Sequence, residues 1–298
     1  MKHRIFPLRK ERGVALIISL LVVAIVTALA LLFTARQQLW MRQIENRNNF
    51  TMAIDVAIAA IDMSRLTLRD DARRNKYDHL LEPWTIPIPP MAVEQGKISG
   101  RISELQGKFN LTNLLPEQNT TIRADDKDLV RAASAFGVTP SNLALLLTQF
   151  QSLRKREPYS TPELSELMRL AALPAESQAA FEHNLSVLPE RTPVNVNFAS
   201  TEALQAAIDG LSSGDASNVI SERTGNPFKT LAAFTKTLPE SLRASATENK
   251  VTVQSQYFMV DIDAWFNDMH SGYQALLRRN GTQIPQLVWA RRSKLAPS

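Results

Sequence analysis

VALIISLLVVAIVTALALLFTA, residues 14–35, decides how the rest of this chain is read. None of these 22 residues is charged. As a helix rising about 1.5 Å per residue the run covers roughly 33 Å, enough to cross a bilayer core of roughly 30 Å. Before it stands MKHRIFPLRKERG, residues 1–13, with Lys2, Arg4, Arg9, Lys10 and Arg12 against Glu11 alone. The small-residue junction at this border, Arg12-Gly13-Val14, precedes the apolar run. A secretory signal has the opposite order, with its cleavage site after the apolar region. Beyond the run, residues 36–50 carry Arg36, Arg42 and Arg47 against Glu45. The heavier positive charge on the first flank predicts a single-pass inner-membrane protein with a cytoplasmic N-terminus and a periplasmic body.

The net charge of +5 suggests an anionic partner until it is located. Residues 1–68 hold nine Lys/Arg and four Asp/Glu, so the remaining 230 residues carry 25 of each sign and are neutral. The basicity belongs to the membrane-proximal arm. The chain has no cysteine, which excludes disulfides, thiolate metal sites and a thiol nucleophile.

From Arg36 to Leu68 there is no glycine or proline, and Trp40, Ile44, Ile54, Ile58, Ile61 and Leu66 recur at mixed spacings with several of three and four. One helix is therefore expected from residue 14 to about 68. Trp84-Thr-Ile-Pro-Ile-Pro-Pro90 reads as a breaker, and KISGRISEL, 97–105, as a strand. Residues 117–245 have helical character and contain a weak repeat: 129–147 followed by 157–167, then 200–220 followed by 226–236. Residues 251–266, 272–279 and 284–292 read as strands, with Asn280-Gly281 as the hairpin turn joining the last two. The first strand needs these as partners, so the helical block reads as an insertion into an α+β domain.

The glycine ahead of the uncharged run resembles the class III signal of type IV pilins and pseudopilins. That resemblance implies cleavage after Gly13 by prepilin peptidase, methylation of Val14 and retention of residues 14–35 as the anchor. A plain signal anchor with a chance glycine reads the same residues. Further features follow in order: Arg36-Gln37-Gln38, Lys76-Tyr-Asp-His79, Gln106-Gly-Lys-Phe-Asn-Leu-Thr-Asn113, Val194-Asn-Val-Asn197 and Val288-Trp289-Ala-Arg291. With them the whole chain resembles the K-class minor pseudopilins of bacterial type II secretion systems.

The resemblance implies an α+β fold: a pilin-like long N-terminal helix on a small antiparallel sheet, with a large inserted all-α, helix-hairpin-helix-like subdomain. It divides the chain into a leader (1–13), a transmembrane segment (14–35), a periplasmic helix (36–68), an α+β core (69–116 and 246–298) and the insertion (117–245). It implies the tip of the secretion pseudopilus, priming or capping its assembly for export of folded periplasmic proteins. The implied partners are the I- and J-class minor pseudopilins, the major pseudopilin, prepilin peptidase and the inner membrane. Ile18 stands where most pilins have a glutamate at the fifth mature position, and this absence is a K-class trait. The acidic loop that K-class proteins link to calcium is replaced by the basic stretch 148–157, so no cofactor is expected; Asp125, Asp126 and Asp128 are a thin alternative set.

Two other chemistries compete. A membrane-anchored periplasmic DNA-binding protein with helix-hairpin-helix units would share this organisation, but Gly137-Val-Thr and Gly210-Leu-Ser lack the second glycine and the body is neutral. An enzyme is not expected. His3, His79, His183 and His270 are scattered, no nucleophile elbow or P-loop occurs, and Asp261 and Asp263 read as a solvated strand face.

Overall fold

No glycine or proline occurs between residues 14 and 82, so nothing in the covalent structure interrupts a helix there. The computed structural model, which describes residues 12–93, 96–116, 120–157, 161–267 and 269–293, shows one continuous helix α1 (Arg12–Arg74), roughly 95 Å long. It runs six residues past the expected end because Leu68 and Ala72 continue its buried stripe of Ala53, Ala57, Ile61, Ser64 and Leu68. Arg73 and Arg74 close it, cations where the helix dipole favours them.

The stripe packs on a five-stranded sheet ordered β1 (Ile88–Val93), β2 (Gly96–Glu104), β7 (Tyr257–Phe266), β8 (Met269–Arg278) and β9 (Gln286–Arg292), every neighbour antiparallel. Alternation in β7 sends Phe258, Val260, Ile262 and Ala264 to the helix side, where they meet Ala57, Ile61, Leu68, Trp84, Ala275 and Leu277. The proline-rich stretch read as a breaker becomes the edge strand β1. Proline lacks an N–H, which an edge position tolerates, and the register slips between Ile88 and Met91, where Pro89 and Pro90 lie.

Three contacts fix the direction of α1 on the sheet. Phe50 lies under the Arg292 guanidinium (4.8 Å), Arg65 Nε donates to Pro285 O (2.8 Å), and Arg279 reaches Asp71 (3.2 Å). The C-terminal end of α1 therefore sits where β2 ends and β7 begins, and the apolar segment projects from the opposite end. All of residues 105–256 leave and return at the end remote from that segment.

This insertion consists of two similar units. The first runs from β3 (Phe109–Asn110) through α2 (Lys127–Ala135), α3 (Pro140–Arg156), α4 (Leu164–Leu170) and α5 (Ala175–Asn184) to β4 (Leu185–Ser186). The second runs from β5 (Val194–Asn195) through α6 (Thr201–Ala207), α7 (Ser213–Gly225), α8 (Leu231–Thr237) and α9 (Glu240–Arg243) to β6 (Val251–Thr252). Each is closed by a parallel two-residue bridge, β3 with β4 and β5 with β6. Gly137 (φ 67°) and Gly210 (φ 77°) turn the chain after the first helix of each unit, and Leu173-Pro174 and Leu238-Pro239 precede the last. The units join through their first helices: Leu129, Ala132 and Ala133 share a core with Ala203, Leu204 and Ala207, and Arg131 donates to Ala206 O (2.9 Å).

Two expected strands differ from the structure. Residues 251–266 are not one strand: Val251–Thr252 closes the second unit, and the chain bends before β7 because the Ser255 amide is drawn to Asp78 (2.6 Å). Asn280-Gly281 does turn the chain between β8 and β9, with Gly281 at φ 56°, but the loop spans 279–285. Arg279 leaves the ladder to bury its side chain, and Pro285 has no N–H to pair.

Gly107 sits where the sheet hands over to the insertion. A Cβ there would come within 2.6 Å of Phe198 Cβ and 2.9 Å of Phe198 carbonyl carbon. Gly107→Ala is expected to cost about 1–3 kcal/mol, read as a lowered urea midpoint at constant slope; an unchanged midpoint would show that this crossing is not tight.

Candidate functional site

The sequence-predicted positions lie at the start of α1. The leader call falls on residues 1–13, of which 1–11 lie outside the described residues; the backbone of Gly13 is already helical. Val14 and Ile18 are about half exposed, one turn apart and on one face, and every residue from 14 through 47 is exposed. The hydroxyls in the apolar segment are satisfied within the helix: Ser19 donates to Ala15 O (2.8 Å), Thr27 to Val23 O (2.8 Å) and Thr34 to Ala30 O (2.9 Å). No polar group of these side chains then needs water, which is what a bilayer demands.

At the other end of α1 the chain builds a buried polar junction. Arg279, 3% exposed, donates from Nη2 to Asp78 Oδ2 (2.5 Å) and to Ser255 O (2.7 Å), and from Nη1 to Asp71 Oδ2 (3.2 Å). Its guanidinium lies 4.7 Å from the Phe258 ring centroid. Asp78 also accepts the Ser255 amide, and Ser255 Oγ donates to Glu104 Oε1 (2.5 Å). Glu104 accepts the amides of Gln106 and Gly107 (2.6 Å each). Beside them Glu82 accepts from Trp84 Nε1 (3.0 Å), Asn75 Nδ2 (3.0 Å) and the His79 amide (3.1 Å). Each backbone segment that crosses between α1, sheet and insertion is held here.

The quoted asparagine motifs continue this network. Asn195 Nδ2 donates to Ser255 Oγ (2.7 Å), and Asn197 Nδ2 donates to Asp78 O (3.0 Å) and Phe228 O (2.9 Å). In the first unit Asn110 Oδ1 accepts from the amides of Thr112 (3.0 Å) and Leu188 (3.2 Å), and Asn113 exchanges two bonds with the Thr192 backbone. These asparagines replace missing ladder partners at the mouths of the two units, where buried amides must be satisfied.

The remaining acidic candidates have structural partners. Asp126 caps α2, Asp125 pairs with Arg123 (2.6 Å), and Asp128 pairs with Arg131 (2.6 Å). Asp261 and Asp263 do share the outer sheet face, where Asp261 meets Arg101 and Gln274 and Asp263 meets His270. Sequence reasoning missed Asp71 and Glu82 and quoted Asp78 only within the Lys76–His79 motif; one carboxylate oxygen of each lies within 4.8 Å of the others. Arg279 supplies their positive charge. The Glu82 carboxyl is pushed up to about 8, first by burial and then by Asp71; burial likewise lifts Glu104 to about 7.

The comparisons with known proteins follow from this arrangement. A sequence model of the type II secretion system (T2SS) protein K family matches residues 194–254, the span from the Val-Asn-Val-Asn motif to the residue before Ser255. Type II secretion system protein K of Pseudomonas aeruginosa is 29% identical over 303 residues, covering 91% of this chain and 90% of that protein. The chain is thus similar to type II secretion protein K over nearly its whole length. Protein K of Aeromonas hydrophila is 24% identical, covering 91% of this chain and 94% of its own. Among solved structures, a chain in the crystal structure of the GspK-GspI-GspJ complex from enterotoxigenic Escherichia coli superposes with a TM-score of 0.67 at 16% identity, over 85% of this chain and 100% of that one. The fold of this chain is thus that of the matched structure, an α+β fold with a long N-terminal helix, an antiparallel sheet and an inserted helical region.

The two raised carboxyls set a pH dependence. Both bind their protons more tightly folded than unfolded, where carboxyls titrate near 4.3. Their contribution to stability is present at low pH and is lost as pH rises from about 4.5 through 8. The urea midpoint should fall as pH rises from 5 to 8.5, and Glu82→Gln/Glu104→Gln should flatten that slope. A slope identical in the double variant would contradict the assignment.

Proposed function

We propose that this minor pseudopilin occupies the tip of the type II secretion pseudopilus, where it primes or caps assembly for export of folded periplasmic proteins. The observation that carries this reading is the placement of the insertion. Both of its units leave the sheet at the end remote from the apolar segment, above the C-terminus of α1. A head in that place obstructs a further subunit above and leaves the spine free for subunits below.

Ile18 supports the same position. Most pilins offer a carboxylate there to a neighbour's N-terminal amine inside the membrane, where an unpaired charge is costly. A subunit with isoleucine cannot make that pairing beneath an existing subunit and loses nothing by being first. In this reading prepilin peptidase removes residues 1–13, Val14 becomes the methylated N-terminus, and the positive flank keeps that end cytoplasmic with the body in the periplasm. The partners are the I- and J-class minor pseudopilins and the major pseudopilin. The solved GspK neighbour crystallised with GspI and GspJ supports the choice. The chain acts by binding and performs no chemistry, with neither metal nor nucleic acid in its role.

Intact mass of the full chain, expressed with and without prepilin peptidase, tests the pathway. The expected result is a peptidase-dependent loss of residues 1–13 plus one methyl group; an uncut chain in both would overturn it. Ile18→Glu should leave processing unchanged and disturb tip placement, measured as reduced export. A variant lacking residues 117–245 should insert in the membrane yet change pseudopilus length, and normal secretion by that variant would exclude the cap.

A further inference from the structure

The two edges of the sheet are built differently. Pro89 and Pro90 lie within β1 and cannot donate to a further strand, so that edge is closed. β9 is the other edge, and residues 286–290 hold neither proline nor charge. Leu287 and Val288 are 46% and 38% exposed, and Ala290 and Arg292 are exposed as well. Ser293 N donates to Gly272 O (2.8 Å), so alternation along the antiparallel ladder turns the peptide groups of Ala290 and Arg292 away from β8. Their donors and acceptors stand at an open edge, a feature that folded proteins ordinarily blunt.

Helix α1 walls this edge on one side. Phe50 lies by Arg292 and Arg65 by Pro285, so helix and strand run side by side in opposite directions. Between these contacts α1 rises roughly 22 Å and the strand roughly 23 Å. Ile58, 48% exposed, lies about 20° around the helix from Arg65 and roughly level with Val288. Leu287 pairs with Leu277, which faces α1, and so points into the same trough. Arg47, exposed, stands about five turns before Arg65 on the same line of the helix, at the Arg292 end. Among the described residues neither Arg47 nor Arg292 forms an ion pair with an acid. The trough is therefore apolar along its length and basic at the end nearer the apolar segment.

A second copy of β9 cannot fill it. Antiparallel pairing of two β9 strands points their α1 helices in opposite directions, and one membrane cannot hold both anchors. Parallel pairing about a two-fold axis sets identical peptide groups face to face, donor against donor, and Arg292 against Arg292. We propose that β9 accepts an extended segment of a different protein as a sixth, antiparallel strand, with alternate apolar side chains on Ile58, Leu287 and Val288 and an acid at its N-terminal end against Arg47 and Arg292. Main-chain bonds hold the segment, and the trough and its basic end select its side chains. The edge is open whatever place the chain takes in the pseudopilus.

The test uses the full-length chain in detergent micelles and a synthetic peptide of alternating Val and Ser that begins with Asp, with a Lys-first peptide as its counterpart. Hydrogen exchange over residues 286–293 should slow when the Asp-first peptide is added, and the Lys-first peptide should bind more weakly, on the order of fivefold. Ala290→Pro removes one outward amide and no bond to β8, so it should leave the thermal midpoint unchanged and abolish the protection. Arg47→Glu/Arg292→Glu keeps the backbone and should reverse the preference between the peptides, which decides the outcome if the proline variant fails to fold. No slowing with the Asp-first peptide, protection that survives Ala290→Pro, or an unreversed preference would overturn the proposal. Protection of 286–293 that grows with protein concentration alone would also overturn it, because a second copy would then occupy the edge.

Discussion

A single guanidinium buried among carboxylates holds this molecule together. Arg279 binds Asp71 at the end of α1, Asp78 in the loop that follows, and the Ser255 carbonyl where the insertion returns to the sheet. Removing a charge of this kind leaves its partners buried and uncompensated, which costs far more than the pair itself contributes. Glu104 and Gln106 carry the network onto the first strand of the junction, and Asn195 and Asn197 carry it into the second helical unit. Helix, sheet and insertion are therefore coupled at one place, remote from the membrane end.

That coupling gives the helical insertion its mechanical meaning. An insertion on flexible tethers could swing aside and let another subunit pass. Here the two crossing segments, 104–107 and 253–257, are both pinned by buried hydrogen bonds, and each unit is closed by its own parallel bridge. The repeat within the insertion explains how so large a head stays compact: two similar units bury their first helices against one another and share one core. The Glu163–Arg291 ion pair (3.3 Å) adds a further tie between the insertion and the edge strand β9.

Much of this was legible in the sequence, and the remainder was not for identifiable reasons. The uncharged run and the absence of helix breakers made α1 visible, because length and periodicity are local properties. The period of two in 257–266 and the Asn280-Gly281 turn did the same for the sheet. The strand at 88–93 was hidden by its prolines, since its status as an edge depends on partners elsewhere. The bend at 253–256 was hidden because it is imposed by Asp78, 177 residues away in the chain. The motif Lys76-Tyr-Asp-His79 was noticed only through resemblance. The buried cluster itself, Asp71, Asp78, Glu82 and Arg279, looks like ordinary surface charge until the fold brings it together. Gly13, Val14 and Ile18 are the converse: their pattern is plain in sequence, and the isolated chain offers no partner to engage them.

Since the chain has no cysteine, two can be introduced for spin labels without background. Arg73→Cys at the end of α1 and Leu145→Cys on the insertion are exposed positions outside the junction. Measuring the distance distribution between labels at these sites in the membrane-inserted protein tests the rigid attachment of the head to the spine. The account predicts one narrow distribution at neutral pH that broadens when Arg279→Ala is added. A broad or bimodal distribution in the otherwise native chain would show that the head moves independently, and the cap could not work as described.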